Sequence, residues 1–166
     1  MNAQQTKQKG FTIIEVVLVL AIAGLIFLMV FIALPTLQRS QRDAARKTEA
    51  GTVVSAIGTF QGNARGKNPT TPTEISKIVN GNTTGVLDSG ANVYIVSSAY
   101  TSARTLTPNL NIAATSDNTI APDEVNVFFG YKCGTTNTSL VKGTARQAAV
   151  AVIQESGNGT VYCTNS

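Results

Sequence analysis

A long apolar segment near the N-terminus limits what this chain can fold into. Residues 10–34 read GFTIIEVVLVLAIAGLIFLMVFIAL, and Glu15 is the one charged residue among them. At a rise of about 1.5 Å per residue, a helix of this length crosses the hydrocarbon core of a bilayer. A soluble domain cannot easily bury a helix that is apolar on every face. The segment therefore predicts a membrane-spanning helix, and a carboxylate inside such a helix is costly enough to suggest a function.

Residues 1–10, which end at Gly10, resemble a targeting leader, and Lys7 and Lys9 are their only charged side chains. The apolar segment is longer than the roughly 7–15 residues of a secretory signal. No small-residue cleavage site follows it, because the chain continues into Pro35 and polar residues. The only small residue that could mark a cleavage site is Gly10. It lies before the segment, which is unusual for a secretory signal.

The residues around Gly10 carry a resemblance to a known family. The motif Gly10-Phe11-Thr12-Ile13-Ile14-Glu15, after a short lysine-containing leader, resembles the class III signal of type IV prepilins, and of their type IVa form in particular. The resemblance covers about the first 60 residues. It implies that a prepilin peptidase cuts after Gly10, that the new N-terminal Phe11 is N-methylated, and that Glu15 takes part in filament assembly.

Two interpretations of Glu15 remain open. Phe11 and Glu15 are four residues apart and share one helix face, so the amine that cleavage creates could pair with the carboxylate, within a subunit or between neighbours. Breaking such a pair in a low-dielectric filament core costs roughly 3–5 kcal/mol. In the alternative, Glu15 lies near the helix end and reaches the lipid headgroups.

The composition excludes several classes of chemistry. The chain of 166 residues has no His, only 13% charged residues and a formal charge of +4. Cleavage would remove Lys7 and Lys9, so the pI is weak evidence for a nucleic-acid partner, and no basic stripe with interleaved aromatic residues supports one. We predict no enzyme activity, no cofactor and no metal. Asp117, Asn118, Asp123 and Glu124 could line a calcium site, but their spacing matches no fixed loop.

Whether the two cysteines are free thiols or form a disulfide depends on the cellular compartment of the protein. Cys133 and Cys163 would be free thiols in a cytosolic protein, whereas an exported domain favours a disulfide. It would close a loop of about 30 residues and contribute about 3 kcal/mol. Pilins often carry a disulfide bounding a C-terminal surface region, and this pair lies in the matching place.

The topology contains one conflict. Lys7 and Lys9 favour a cytoplasmic N-terminus, whereas the cluster at Arg39, Arg42, Arg46 and Lys47 favours the opposite orientation. The leader and the cysteines place the C-terminal domain outside. We expect a single-pass membrane protein with a cytoplasmic N-terminus before assembly and a cell-surface filament afterwards. The cationic cluster could be a solvated helix face or a surface that pairs subunits in a filament.

The predicted fold is α+β: a long N-terminal hydrophobic helix with a small antiparallel sheet packed on its C-terminal half. Residues 1–10 form the leader, 11–34 the transmembrane and assembly helix, 35–60 its continuation, and 61–166 the head with the disulfide region. Gly24 and Pro35 are expected to interrupt the helix, by a kink at the membrane exit or by unwinding in the filament. The usual pilin proline is absent, since Ile32 occupies that position.

Within the head, Thr71-Pro72-Thr73-Glu74 resembles a capping box and predicts a helix over 72–79. Strands are predicted over 91–97, 124–132 and 160–163, with 145–155 as strand or helix, and 98–123 as an irregular connection. The resulting three- or four-stranded sheet is also the arrangement that pilins show.

The leading functional hypothesis is a filament of identical subunits that serves adhesion, twitching motility or DNA uptake. Its partners would be the prepilin peptidase, the assembly machinery and, before assembly, membrane lipid. The alternatives are a minor pilin, a secretion-system pseudopilin, and a membrane-anchored binding protein that never polymerises.

Overall fold

The computed structural model describes residues 10–96, 104–108, 119–156 and 159–166. By its internal contacts the chain divides into two units, one up to Gln38 and the other from Arg39 to the C-terminus. The helices are α1 (Ile13–Asn63) and α2 (Pro72–Asn80). The described strands are β1 (Asn92–Val96), β2 (Arg104–Thr105), β3 (Thr107–Pro108), β4 (Thr119–Ile120), β5 (Glu124–Phe129), β6 (Tyr131–Cys133), β7 (Ser139–Lys142), β8 (Ala148–Gln154) and β9 (Thr160–Asn165).

The first unit contains the N-terminal part of α1. This helix is 51 residues long and contains the described segment that is long and apolar enough to cross a membrane, with a mean hydropathy of 3.2 and none of that window buried. It is helical at both Gly24 and Pro35. The helix therefore continues through both residues, because a proline removes only one hydrogen bond while its neighbours keep theirs, and a kink at the membrane exit stays a prediction. Opening in a filament concerns another state and stays a prediction.

The second unit, which we call the head, is built on the C-terminal part of α1. Ala50, Val53, Ala56 and Ile57 are buried and recur every three or four residues, as one face of a helix requires. They pack in one apolar cluster with residues of β1, β5 and β8. The predicted continuation of the helix into the head is confirmed.

The short helix α2 covers this cluster through Ile75, which is fully buried. Its start is held by Glu74, whose carboxylate accepts the backbone N–H groups of Thr70 at 2.6 Å and Thr71 at 3.1 Å. Its end is Gly81, with a left-handed φ of 73°. The capping residues thus predicted this helix to within one residue.

A four-stranded sheet in the order β1-β5-β8-β9 forms the centre of the head. The pairs β5–β8 and β8–β9 are antiparallel, whereas β1 runs parallel to β5. The predicted sheet is therefore correct except for this parallel pair. One face meets α1 and α2, and the other meets a smaller sheet in the order β2-β7-β6 through residues such as Phe128, Ile153 and Leu140.

The predicted strand over 124–132 is wrong in one respect, because it is two strands in different sheets. Gly130 lies between β5 and β6 with a left-handed φ of 79°, and it turns the chain from one sheet to the other. Burial of β5 on both faces explains why its sequence does not alternate cleanly between apolar and polar residues. Parts of the predicted irregular connection over 98–123 lie outside the described residues, and its described parts include the short strands β2, β3 and β4.

Candidate functional site

The start of α1 is organised around Thr12 and Glu15. The Glu15 carboxylate accepts hydrogen bonds from the Thr12 backbone N–H at 2.9 Å and from its hydroxyl at 2.8 Å. In return, the Thr12 hydroxyl oxygen accepts the Glu15 N–H at 3.4 Å. This reciprocal pair is a capping box that satisfies two N–H groups at the helix start. The Thr-x-x-Glu spacing was visible in the sequence but was recognised only at Thr71 and Glu74.

Gly10 and Phe11 precede this cap in non-helical backbone, and both are exposed. The Phe11 side chain is 89% exposed. The predicted cleavage and assembly residues therefore lie within six consecutive residues, with the Gly10–Phe11 peptide bond just outside the capped helix. A carboxylate that caps the helix is also held close to the residue that would become the new N-terminus.

The apolar side chains of α1 up to Leu37 lack a protein partner among the described residues. They include Phe31, which is 72% exposed, and Leu20, which is 65% exposed. An apolar surface this extensive marks a membrane or protein contact in a folded protein. This part of the helix therefore requires lipid or other protein chains around it.

A charged network joins α1 to the turn after β8. Arg42 binds the Glu155 carboxylate through Nε at 3.0 Å and Nη2 at 2.6 Å, and Arg46 binds it through Nη2 at 2.9 Å. Asp43, only 4% exposed, accepts the backbone N–H groups of Glu155 at 2.7 Å and Ser156 at 2.9 Å. Arg42 and Arg46 therefore pair within the chain.

The other two cations of the predicted cluster behave differently. Lys47 lies over the Tyr162 ring, 5.5 Å from its centroid. Arg39 makes no ion pair with any described residue. The cluster thus divides into internal pairs and exposed charges, so neither a wholly solvated face nor a wholly intersubunit surface describes it.

The carboxyl groups of this network favour their charged forms. Burial alone would raise the pKa of Asp43, but hydrogen bonds from Ser156 and Glu155 and the nearby Arg46 charge outweigh it and lower the pKa. The hydrogen bond from Arg42, assisted by Arg46, lowers the pKa of Glu155. A group whose pKa is lower in the folded state stabilises the fold above its unfolded pKa and loses that effect as the pH falls.

Acidification should therefore destabilise the head. We expect the unfolding temperature of the full chain in non-ionic detergent to be nearly constant from about pH 7 to 5 and to fall below about pH 4, where unfolded carboxyl groups take up protons. Glu155→Gln should start lower at neutral pH and respond less steeply to acid. An unfolding temperature that rises on acidification to about pH 3 would contradict this account.

The two cysteines form a disulfide that joins β6 to β9. Cys133 and Cys163 are 30 residues apart in sequence, with their Cα atoms 5.8 Å apart. The bridge lies beside the apolar cluster between the two sheets, where Cys163 is buried. It therefore fixes the C-terminal strand to the smaller sheet.

The described residues contain no group of three or more His, Cys, Asp or Glu side chains that could hold a metal ion. Of the residues weighed for calcium, Asp117 and Asn118 lie outside the described residues. Asp123 is exposed and lies 3.8 Å from Arg46, whose positive charge opposes a cation there.

Comparison with known proteins supports the N-terminal motif. Residues 5–31 match the family model described as the prokaryotic N-terminal methylation motif, the class III signal of type IV pilins. No curated protein and no solved structure matches the chain significantly. The match spans the capped start of α1 and most of its exposed apolar part.

Proposed function

We propose that this chain, which carries a prepilin methylation motif, is the structural subunit of an extracellular type IV pilus filament. The observation that carries the proposal is the first part of α1. It is an exposed apolar helix whose start is capped by the Glu15 carboxylate, and it lies inside the matched motif. The matched motif is that of a structural protein class, and we propose a non-enzymatic role.

Assembly would proceed in three steps. The subunit is stored in the membrane by α1, with its N-terminus in the cytoplasm. Prepilin peptidase then cuts after Gly10, and methylation modifies the amine of Phe11. Finally the assembly machinery moves the subunit into a bundle of apolar helices, where the Phe11 amine pairs with Glu15 of the same or a neighbouring subunit.

The charge pair would select the register of this bundle. Apolar contacts alone tolerate sliding, because lipid and neighbouring helices offer similar surroundings to an apolar side chain. A buried carboxylate left without its amine costs roughly 3–5 kcal/mol, which penalises every wrong register. Breaking the hydrogen bonds between Glu15 and Thr12 is favourable only when the Phe11 amine replaces them.

The head would form the outer layer of the filament. Among its described residues, two apolar clusters are already covered by its own helices and sheets. Such filaments serve adhesion, twitching motility or DNA uptake.

A minor pilin or a secretion-system pseudopilin is the second candidate, because the matched motif supports a pilin-like or pseudopilin precursor in general. A major subunit should dominate a preparation of sheared filaments, whereas the other two should be rare or absent. A membrane-anchored binding protein that never polymerises has no need of the motif at residues 10–15.

Mass spectrometry of protein sheared from cells tests the proposal. We expect an abundant chain that begins at a methylated Phe11, with no thiol available for alkylation until a reductant is added. Cells that lack the prepilin peptidase provide the control and should retain the uncut chain in the membrane. A mature chain that begins at Met1 would overturn the proposal.

A further inference from the structure

Two stretches of the sequence carry cations and no acidic residue. Residues 50–73 contain Arg65 and Lys67, and residues 125–154 contain Lys132, Lys142 and Arg146. The stretches are far apart in the chain, so their common sign becomes significant only if the fold brings them together.

The fold does bring them together, at the C-terminal end of α1. The Gln61 side-chain amide donates to the Arg146 carbonyl at 2.7 Å, and the Asn68 amide donates to the Ala145 carbonyl at 2.8 Å. The Arg146 guanidinium packs on Gly66, where an added Cβ would lie 2.7 Å from its Cζ. Arg146 therefore packs against the glycine that separates Arg65 from Lys67 in the sequence.

Lys142 extends this surface from the smaller sheet. It pairs with Tyr131 at the end of β7, and the next residue, Gly143, donates to the Gly130 carbonyl at 2.8 Å. The loop from Gly143 to Gln147 thus follows Lys142 and contains Arg146. We call the four exposed cations Arg65, Lys67, Lys142 and Arg146 the basic cap.

The charge of the basic cap is not neutralised within the described residues. None of its four cations makes an ion pair there, whereas the carboxylates of Asp43 and Glu155 are held by Arg42 and Arg46 and that of Glu74 caps a helix. Grouped like charges without internal partners repel one another and cost stability. Such a surface is suited to an anionic partner.

We propose that the basic cap binds the phosphate backbone of double-stranded DNA without reading its sequence. Phosphates are contacted by Arg and Lys together with Asn and Thr side chains, and the cap is bordered by Asn68 and Thr144. Packing on Gly66 positions the Arg146 guanidinium, and the hydrogen bonds to the Ala145 and Arg146 carbonyls fix the backbone that carries it.

The surroundings of the basic cap favour a duplex over other anionic partners. Single strands are held by stacking on aromatic side chains. Among the described head residues, Tyr94 on β1 is the exposed aromatic, and Tyr131 beside the cap is buried. A lipid surface is held through exposed apolar side chains as well as cations, and the cap's own residues are polar or charged. This inference concerns a single subunit and does not depend on polymerisation.

The test uses the full chain in non-ionic detergent and a fluorescent duplex of mixed sequence. We expect a Kd of roughly 10⁻⁵ M at low salt, which weakens between about 50 and 200 mM salt with a log–log slope of about −3. Arg65→Gln/Arg146→Gln should weaken binding about tenfold and make the slope less steep by about 2. Arg65→Lys/Arg146→Lys keeps the charges and should keep most of the affinity.

The matched control is Arg39→Gln/Lys47→Gln, which removes the same charge elsewhere on α1. Arg39 lies about 36 Å along the helix from Asn63, so this variant should bind like the wild type. Unfolding temperatures of both glutamine variants equal to that of the wild type would show that the fold is intact. The proposal would be overturned if the wild type did not bind the duplex, or if the cap variant and the control variant lost the same amount of affinity. Tighter cap-dependent binding to single strands or to phosphatidylglycerol vesicles would also overturn it.

Discussion

Replacing Glu15 with alanine is expected to leave cleavage after Gly10 intact and to lower the filament yield at least tenfold. The Phe11 amine would then enter the apolar bundle without a carboxylate, at a cost of roughly 3–5 kcal/mol. Yields of sheared filaments, compared with the amount of cleaved subunit in the membrane, measure the effect. A normal filament yield from this variant would show that Glu15 has no role in assembly.

The capping box requires controls that separate two roles of Glu15. Glu15→Gln removes the charge but keeps a side chain that can occupy its position in a capping box, so it should assemble as poorly as the alanine variant. Thr12→Ala removes the hydroxyl that hydrogen-bonds Glu15 at 2.8 Å but keeps the carboxylate, and it should retain most filaments. If Thr12→Ala fails and Glu15→Gln succeeds, helix capping rather than charge pairing explains the requirement.

Replacing Asp43 with alanine is expected to destabilise the head by about 3 kcal/mol, because it leaves buried polar groups without partners. The N–H groups of Glu155 and Ser156 would lose their acceptor, and Arg46 would lose a carboxylate 3.7 Å away. For a domain of this size we expect the unfolding temperature to fall by about 10 °C. Thermal unfolding of the full chain in non-ionic detergent measures it.

Asp88→Ala is the matched control for this substitution. Asp88 is exposed and accepts one hydrogen bond, from the Asn80 side chain at 3.1 Å. Its replacement should cost less than about 1 kcal/mol. If the two substitutions lowered the free energy of unfolding by similar amounts, the buried Asp43 would contribute no more stability than an ordinary surface hydrogen bond.

Local signals in the sequence predicted the features that depend on few consecutive residues. The motif at residues 10–15, the apolar helix and the capped helix α2 each extend over one continuous stretch. The sequence left open whether residues 145–155 form a strand or a helix. Nearly every residue from Ala148 to Gln154 is buried, and a continuous apolar run of this kind suits a helix or a strand equally. Pairing with β5 and β9 decides between them.

Features built from distant residues could not be predicted in this way. Arg42 and Glu155 are 113 residues apart, and no periodicity relates them. The parallel pairing of β1 with β5 and the break at Gly130 depend on which sheet each strand joins. The basic cap was missed for the same reason, since a search for a continuous basic stripe cannot find cations that only the fold assembles.

The disulfide has a mechanical consequence for a subunit held in a filament by its helix. Cys133 and Cys163 enclose β7 and β8, so this ring includes the strand that packs against α1. If tension unravelled the head, the segment between the cysteines, which are 30 residues apart in sequence, could not be drawn out, and this shortens the extensible chain by roughly 100 Å. In a subunit pulled between its helix and its last strand, residues 64–132 could therefore still extend, whereas the segment from Cys133 to Cys163 would be bypassed because the disulfide carries the load.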